Sequence, residues 1–241
     1  MTTESHFIRV GDFDVEVVRK RIKNIHLATY PPDGRVRIAV PEHIDDGAVR
    51  MAVVEKAGWI RRQQAAFTKQ ERYSPREYVD GESHWVWGQR YRLRVVETHG
   101  RHTAKVRGRR LELHVRAGAT RDQREAALTR WYREELSQAL PPLLEKWETV
   151  VGASASDWGI KRMRTKWGSC NPTARRLWFN LDLATKPPQC LEYVVVHELV
   201  HLIDSSHGEG FMALMDRALP TWRGTRDLLN AAPLVDISAA A

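Results

Sequence analysis

The sequence predicts an α+β protein, with a β-rich region over residues 1–118 followed by a mainly helical region over 119–241. Three observations carry this expectation. Apolar and polar residues alternate with strand-like period in the first region, helical spacing sets in at about residue 119, and a hairpin pattern over 160–183 interrupts the helices.

In the first region, FDVEVVRK at 13–20 and IKNIHLAT at 22–29 mix β-branched and polar residues as strands do. Pro31-Pro32-Asp33-Gly34 is a turn signal, and Arg35–Val40 alternates again. Asp45 or Asp46 is placed to cap one helix running to about Thr68, with Val49, Val53, Ala57 and Ile60 on one face. Trp85-Val86-Trp87, a Gly88-Gln89 turn and Tyr91–Val95 read as a hairpin, and Leu111, Leu113 and Val115 as one more strand. Beyond Thr120, Ala126, Ala127, Trp131, Leu136 and Leu140 recur at helical spacing up to Pro141-Pro142, where a kink or split is expected. Leu143, Leu144, Trp147 and Val151 continue the stripe. The hairpin arms are expected at Ile160–Cys170 and Leu177–Leu183, joined by Asn171-Pro172-Thr173-Ala174. A helix with Pro187-Pro188 in its first turn runs to about Ile203, and short helices follow near 207–218 and 222–231.

Composition narrows the class. A hydrophobic fraction of 42% and a charged fraction of 28% suit a water-soluble globular chain. Two cysteines, Cys170 and Cys190, supply no disulfide framework. No apolar run is long enough to span a bilayer, and the opening MTTESHFIRV lacks the apolar stretch of a secretory signal, so a cytoplasmic location is expected. The net charge of +8 is unevenly placed: residues 1–120 hold 23 Lys/Arg against 15 Asp/Glu, whereas residues 121–241 hold 15 of each. The basic half suggests a nucleotide or nucleic-acid partner, or a solvated surface that keeps the protein soluble.

The chemistry concentrates in Val194-Val195-Val196-His197-Glu198-Leu199-Val200-His201-Leu202-Ile203, which contains HExxH. On a helix, residues four apart share a face, so His197 and His201 can offer two imidazole nitrogens to one ion. Glu198 projects nearby without taking a ligand position, as the base that activates a water on the metal. Zinc suits such a site because it accepts imidazole and keeps a position open. The surrounding helix is apolar almost all round, and a bound metal would offset the cost of burying these polar groups. A third ligand is expected just beyond the helix. His207 lies six residues after His201, an offset found in extended HExxH patterns. Glu209 competes, but Ser206-His207-Gly208-Glu209 reads as a capping box that occupies Glu209 at a helix start. Asp204 sits one turn past His201, to orient a ligand imidazole or to stand solvated at the helix end.

Met163-Arg164-Thr165-Lys166-Trp167-Gly168-Ser169-Cys170, Phe179-Asn180-Leu181-Asp182-Leu183, Tyr193–Leu202, His207 and Phe211 together resemble the YgjP-like metallopeptidase family, with SprT-like proteases as more distant relatives. Asp80-Gly81-Glu82, Trp87-Gly88-Gln89-Arg90-Tyr91 and the Trp131-Tyr132 helix also fit, so the resemblance covers nearly the whole chain. It implies a zincin-like catalytic core, with the active-site helix packed beside a small sheet. It also implies one zinc ion on His197, His201 and His207, with Glu198 as the base. A sheet edge would line the cleft and pair with extended peptide, here the arm Trp167-Gly168-Ser169-Cys170. Two departures stand out: Lys166 occupies a position where the family more often has arginine, and Ser206 one where asparagine is usual.

Several residues have weaker claims. Arg162, Arg164 and Lys166 share one face of the first hairpin arm and could bind a phosphate or carboxylate or simply form the solvent face. Arg164, Lys166 and Trp167 are the candidates for contact with substrate. Trp59, Trp131 and Trp147 fall on core stripes, Trp178 could line a cleft with Trp167, and Cys170 is expected in the core. The function expected first is zinc-dependent hydrolysis of a peptide or protein. Hydrolysis of nucleotide phosphoanhydrides, and a non-enzymatic zinc module recognising an anionic partner, are the alternatives.

Overall fold

A computed structural model describes residues 5–30, 34–69, 76–163 and 165–231. The chain divides into two compact units, one drawn from residues up to Ser74 and one from Pro75 to Leu234. Each has its own hydrophobic core.

In the first unit, β1 (Ser5–Val10), β2 (Phe13–Lys20), β3 (His26–Tyr30) and β4 (Arg35–Pro41) form a sheet in the order β1-β2-β4-β3. The central pair, β2 and β4, is parallel and the outer pairs are antiparallel. Period-two alternation buries Phe13, Val15 and Val17 with Val36, Ile38 and Val40, and these meet Val49, Val53 and Ile60. The one helix expected over 45–68 is two, α1 (Asp46–Glu55) and α2 (Ala57–Lys69). Asp45 caps α1 by accepting from the Ala48 backbone N–H at 2.7 Å. At Lys56 the N–H bonds to the Val53 carbonyl, three residues back, and this tightened turn ends α1. The Pro31-Pro32-Asp33 turn lies outside the described residues.

The second unit opens with β5 (Ser83–Val86), β6 (Gln89–Glu97), β7 (Thr103–Arg107) and β8 (Arg110–Val115), in sheet order β5-β6-β8-β7. By charge and strand content these strands read with the first region. Their buried side chains Val86, Leu93, Leu111, Leu113 and Val115 nonetheless share a core with Leu128, Trp131 and Leu136 of α3 (Arg121–Val151). The basic 1–118 stretch therefore spans both units. The β5–β6 turn falls at Trp87 and Gly88, one residue earlier than expected, with φ of 49° and 79°. Trp87 and Gly88 donate backbone N–H groups to the Ala184 and Thr185 carbonyls. A Cβ at Gly88 would stand 2.8 Å from Pro187, so glycine is what lets the turn dock beside the next helix.

Helix α3 starts at a Thr120–Gln123 capping box and ends at left-handed Gly152. It runs as one helix through Pro141 and Pro142, so the element is not split there. The two missing N–H groups leave the carbonyls of Ser137 and Gln138 without helical partners, and both residues are exposed, so water can serve them. Burial of Leu136, Leu140, Leu144 and Trp147 along one stripe holds the helix through the break.

The three-stranded sheet β9 (Asp157–Lys161), β10 (Gly168–Asn171) and β11 (Arg176–Asn180) has the order β10-β11-β9. The hairpin is shorter than expected: Gly168–Asn171 pairs with Arg176–Asn180, while Ile160 and Lys161 belong to β9, parallel to β11 on its other side. Residues 162, 163 and 165–167 lie outside both strands, and buried Asn180 holds them. Its Nδ2 donates to the Met163 and Lys166 carbonyls, both at 2.8 Å. Arg162 pairs with Glu125, and neither it nor Lys166 lies in a strand, so these two do not share a strand face. After a 3-10 turn (Leu181–Thr185) come α4 (Pro188–Val200), α5 (Glu209–Ala218) and α6 (Trp222–Ala231). The α+β class is as expected, with α4 beside the small sheet. No helix among the described residues is long and apolar enough to cross a membrane.

Candidate metal centre

Helix α4 buries Val194, Val195, Val196, Leu199 and Val200, so its polar residues are carried into the protein by apolar neighbours. His197 and His201, one turn apart, set their rings edge-on at 4.7 Å, with Nε2 atoms 3.2 Å apart. The chain then leaves the helix through Asp204–Gly208, and His207 returns to place its Nε2 3.2 Å from that of His197. Donor atoms of all three lie within 4.8 Å of one another. Buried Phe211 packs against the three rings, at 4.9, 4.7 and 4.8 Å, and fixes them from one side.

Three ring nitrogens facing one another lack protons enough to satisfy each lone pair, and a cation at their centre resolves this. In tetrahedral zinc coordination, bonds of about 2.0–2.1 Å put nitrogens roughly 3.3 Å apart, so the 3.2 Å separations fit the donor set. Burial first, and then the neighbouring His201 and His207, push the His197 pKa down to about 3. The neutral imidazole is the form that binds metal.

The loop explains His207's return. Asp204 accepts from the Ser206 backbone N–H at 2.9 Å and from its hydroxyl at 2.7 Å, and Ser206 Oγ accepts from the Gly208 N–H. Two expectations stood for Asp204, orienting a ligand imidazole or standing solvated at the helix end. Its backbone carbonyl lies 3.0 Å from His201 Nδ1, which leaves Nε2 free to face the group, while its carboxylate is taken up by Ser206. The expected capping box is not formed: Gly208 is the N-cap, without a side-chain bond, and Glu209 is the exposed first residue of α5. The structure thus brings His207, rather than Glu209, to the histidine pair.

Glu198 is 5% exposed. Burial pushes its pKa up to about 8, against the opposing charge of Lys166. Its carboxylate rests on the backbone of β10: a Cβ at Gly168 would stand 2.4 Å from Oε1 and 2.7 Å from Cδ. We expect Gly168→Ala to lower activity about 100-fold by displacing the carboxylate by roughly an ångström, with metal content unchanged. Kinetics paired with metal analysis check this, and an unimpaired kcat would show that Glu198 does not depend on that contact.

A cleft of about 500 Å³ opens in front of the triad. Lys166, Trp167, Gly168, Ser169 and Cys170 line one wall, so Lys166 and Trp167 lie where contact with substrate was expected. Arg164 lies outside the described residues. Cys170, expected in the core, packs against it while only partly buried and also lines the cleft, whereas Cys190 is fully buried. Trp178 is absent from the lining and sits between Lys161 and Arg176, each 4.4 Å from its ring centre. Tyr193 and Arg226 also face the cleft, unanticipated as site residues. Tyr193 had a signal, since it precedes His197 by one turn, but Arg226 reaches the site only through folding of α6.

The sequence matches a family model described as YgjP-like, metallopeptidase domain, over residues 23–232. In structure the chain is similar to the crystal structure of the metallopeptidase zymogen of Pyrococcus abyssi abylysin. That similarity has 16% sequence identity and a TM-score of 0.34, and covers 36% of this chain and 89% of that one. No curated protein matches the sequence.

Proposed function

The chain belongs to the YgjP-like metallopeptidase family, and from that premise we propose that it is a zinc-dependent endopeptidase. In this reading His197, His201 and His207 hold one zinc ion and Glu198 is the general base. The observation that carries it is the convergence of three imidazole nitrogens beside one buried carboxylate, at the wall of an open cleft.

Zinc, when bound, supplies Lewis acidity, polarising a carbonyl and making water acidic near neutral pH. The chain's own residues do the rest. Glu198 takes a proton from the attacking water and passes it to the departing amine, so one carboxylate serves both halves of the reaction. Gly168 leaves room for that carboxylate, and Phe211 with the Asp204 carbonyl keeps the imidazoles from rotating. Strand β10 is the edge of its sheet and lines the cleft, so an extended peptide can add to it through backbone hydrogen bonds. A strand edge reads backbone rather than a chain terminus, which favours cleavage at internal bonds. The phosphoanhydride alternative is less well supported. Among the described residues the cleft is lined by no carboxylate other than Glu198, so no group is at hand for magnesium.

The test offers zinc-loaded protein an unfolded protein, terminally capped peptides and nucleoside triphosphates. Internal peptide cleavage is expected, abolished by chelation and restored by zinc, with nucleotides untouched. Nucleotide hydrolysis without peptide cleavage would overturn the reading.

A further inference from the structure

The cleft is poor in acidic groups. Among the described residues, Lys166 and Arg226 are its cationic lining residues, Glu198 its one carboxylate, and the remainder are neutral side chains or imidazoles. The two cations act at different points. Lys166 bears on Glu198 and His201, whereas Arg226 bears on Tyr193.

Arg226 is also held in place. Its guanidinium lies 5.2 Å from the centre of the buried Trp222 ring. Trp222 stacks on Tyr193 at 6.4 Å with 5° between planes, and Tyr193 meets His197 edge-on at 5.6 Å. This aromatic relay sets the guanidinium at a fixed remove from the imidazole triad while its apolar face is occupied. Its acidic partner is the adjacent Asp227 at 3.1 Å, with the two side chains 45% and 68% exposed. An exposed pair between chain neighbours adds little, so a better-placed carboxylate can displace it. A planar guanidinium receives a carboxylate through two parallel N–H donors, a geometry that an ammonium group lacks.

We propose that Arg226 is a specificity-determining residue that receives a carboxylate of the substrate peptide, with Lys166 reinforcing the attraction of the cleft for acidic chains. This rests on the peptidase reading and names the substrate class for the same site. The carboxylate is an acidic side chain near the scissile bond or a free C-terminus.

Calorimetric binding to zinc-loaded Glu198→Gln protein separates these sources. Four peptides of equal length are needed: capped with an internal glutamate, neutral with a free C-terminus, capped and neutral, and capped with an internal lysine. At least one carboxylate peptide should bind roughly tenfold tighter than the capped neutral one, as a charge-assisted hydrogen bond provides. Which of the two does so identifies the source. Arg226→Gln should erase the preference, and Arg226→Glu should turn it toward the lysine peptide. That reversal remains readable even if loss of arginine loosens Trp222. Equal binding of all four peptides, or a preference that survives in Arg226→Gln, would overturn the proposal. Wild-type protein that cleaves peptides without regard to charge removes this inference and keeps the peptidase. Arg226-dependent binding without cleavage by wild-type protein does the reverse.

Discussion

Replacing His207 by alanine is expected to weaken zinc binding by about 10²–10³-fold, and replacing Glu209 is expected to leave it within about twofold. Shared among four ligands, the roughly 10–16 kcal/mol by which such sites hold zinc gives about 2.5–4 kcal/mol for one of them. His207 sits on an exposed loop, so its removal empties no core, and the two α4 histidines keep their spacing. Glu209 is exposed at the start of α5 and caps nothing, so its loss touches neither ligand nor loop. His197→Ala should be at least as severe, because its Nε2 faces both of the others. Competition against a chelating dye measures all three affinities, and melting of the zinc-free proteins checks that each still folds. A severe loss in Glu209→Ala with a mild one in His207→Ala would mean that the loop rearranges around a carboxylate ligand.

The parts of this site that were legible in the sequence are those set by distance along the chain. His197 and His201 are a helical turn apart wherever a helix forms, and an apolar run around them is enough to predict that helix. His207 was reached by an offset of six, and its position depends on the short loop that Asp204 and Ser206 organise. Contacts made across the fold were not legible. Gly168 and Glu198 are thirty positions apart in sequence, and their approach exists only because β10 packs on α4. Arg226 comes from a helix whose sequence shows an ordinary amphipathic pattern.

The fold has the same division. Alternation located β2, β4 and β8, but β7 was invisible because, as an edge strand, it buries Ala104 alone. The residues 160–161 were recognisable as strand but not their partner, since parallel and antiparallel pairing use the same side-chain period. Asn180 decides the matter, because its amide holds the Met163 and Lys166 carbonyls outside the strands and the hairpin is cut short. Pro141 and Pro142 suggested a split that the helix does not show, for a related reason. Their cost depends on whether the bereft carbonyls reach water, and that is a property of the packed helix rather than of the dipeptide.

Glu198→Gln is expected to reduce peptide hydrolysis by roughly 10²–10⁴-fold, the usual worth of a positioned general base. The amide has nearly the same size and stem as the carboxylate, so it fits the space that Gly168 leaves against β10. It cannot take up a proton at neutral pH, and this is the property under test. Glu198 is not one of the three converging donors, so zinc content should match wild type. Folding should hold as well, because the acid stands in a pocket that already disfavours its charge, and a neutral group there meets less resistance to burial. The measurement is cleavage of one peptide by both proteins at equal zinc occupancy, with melting temperatures compared in parallel. Full activity in Glu198→Gln would remove this residue as the base and leave the proposed mechanism without a proton acceptor. Loss of zinc in the variant would place Glu198 in support of the metal centre, and would favour a binding module over a catalyst.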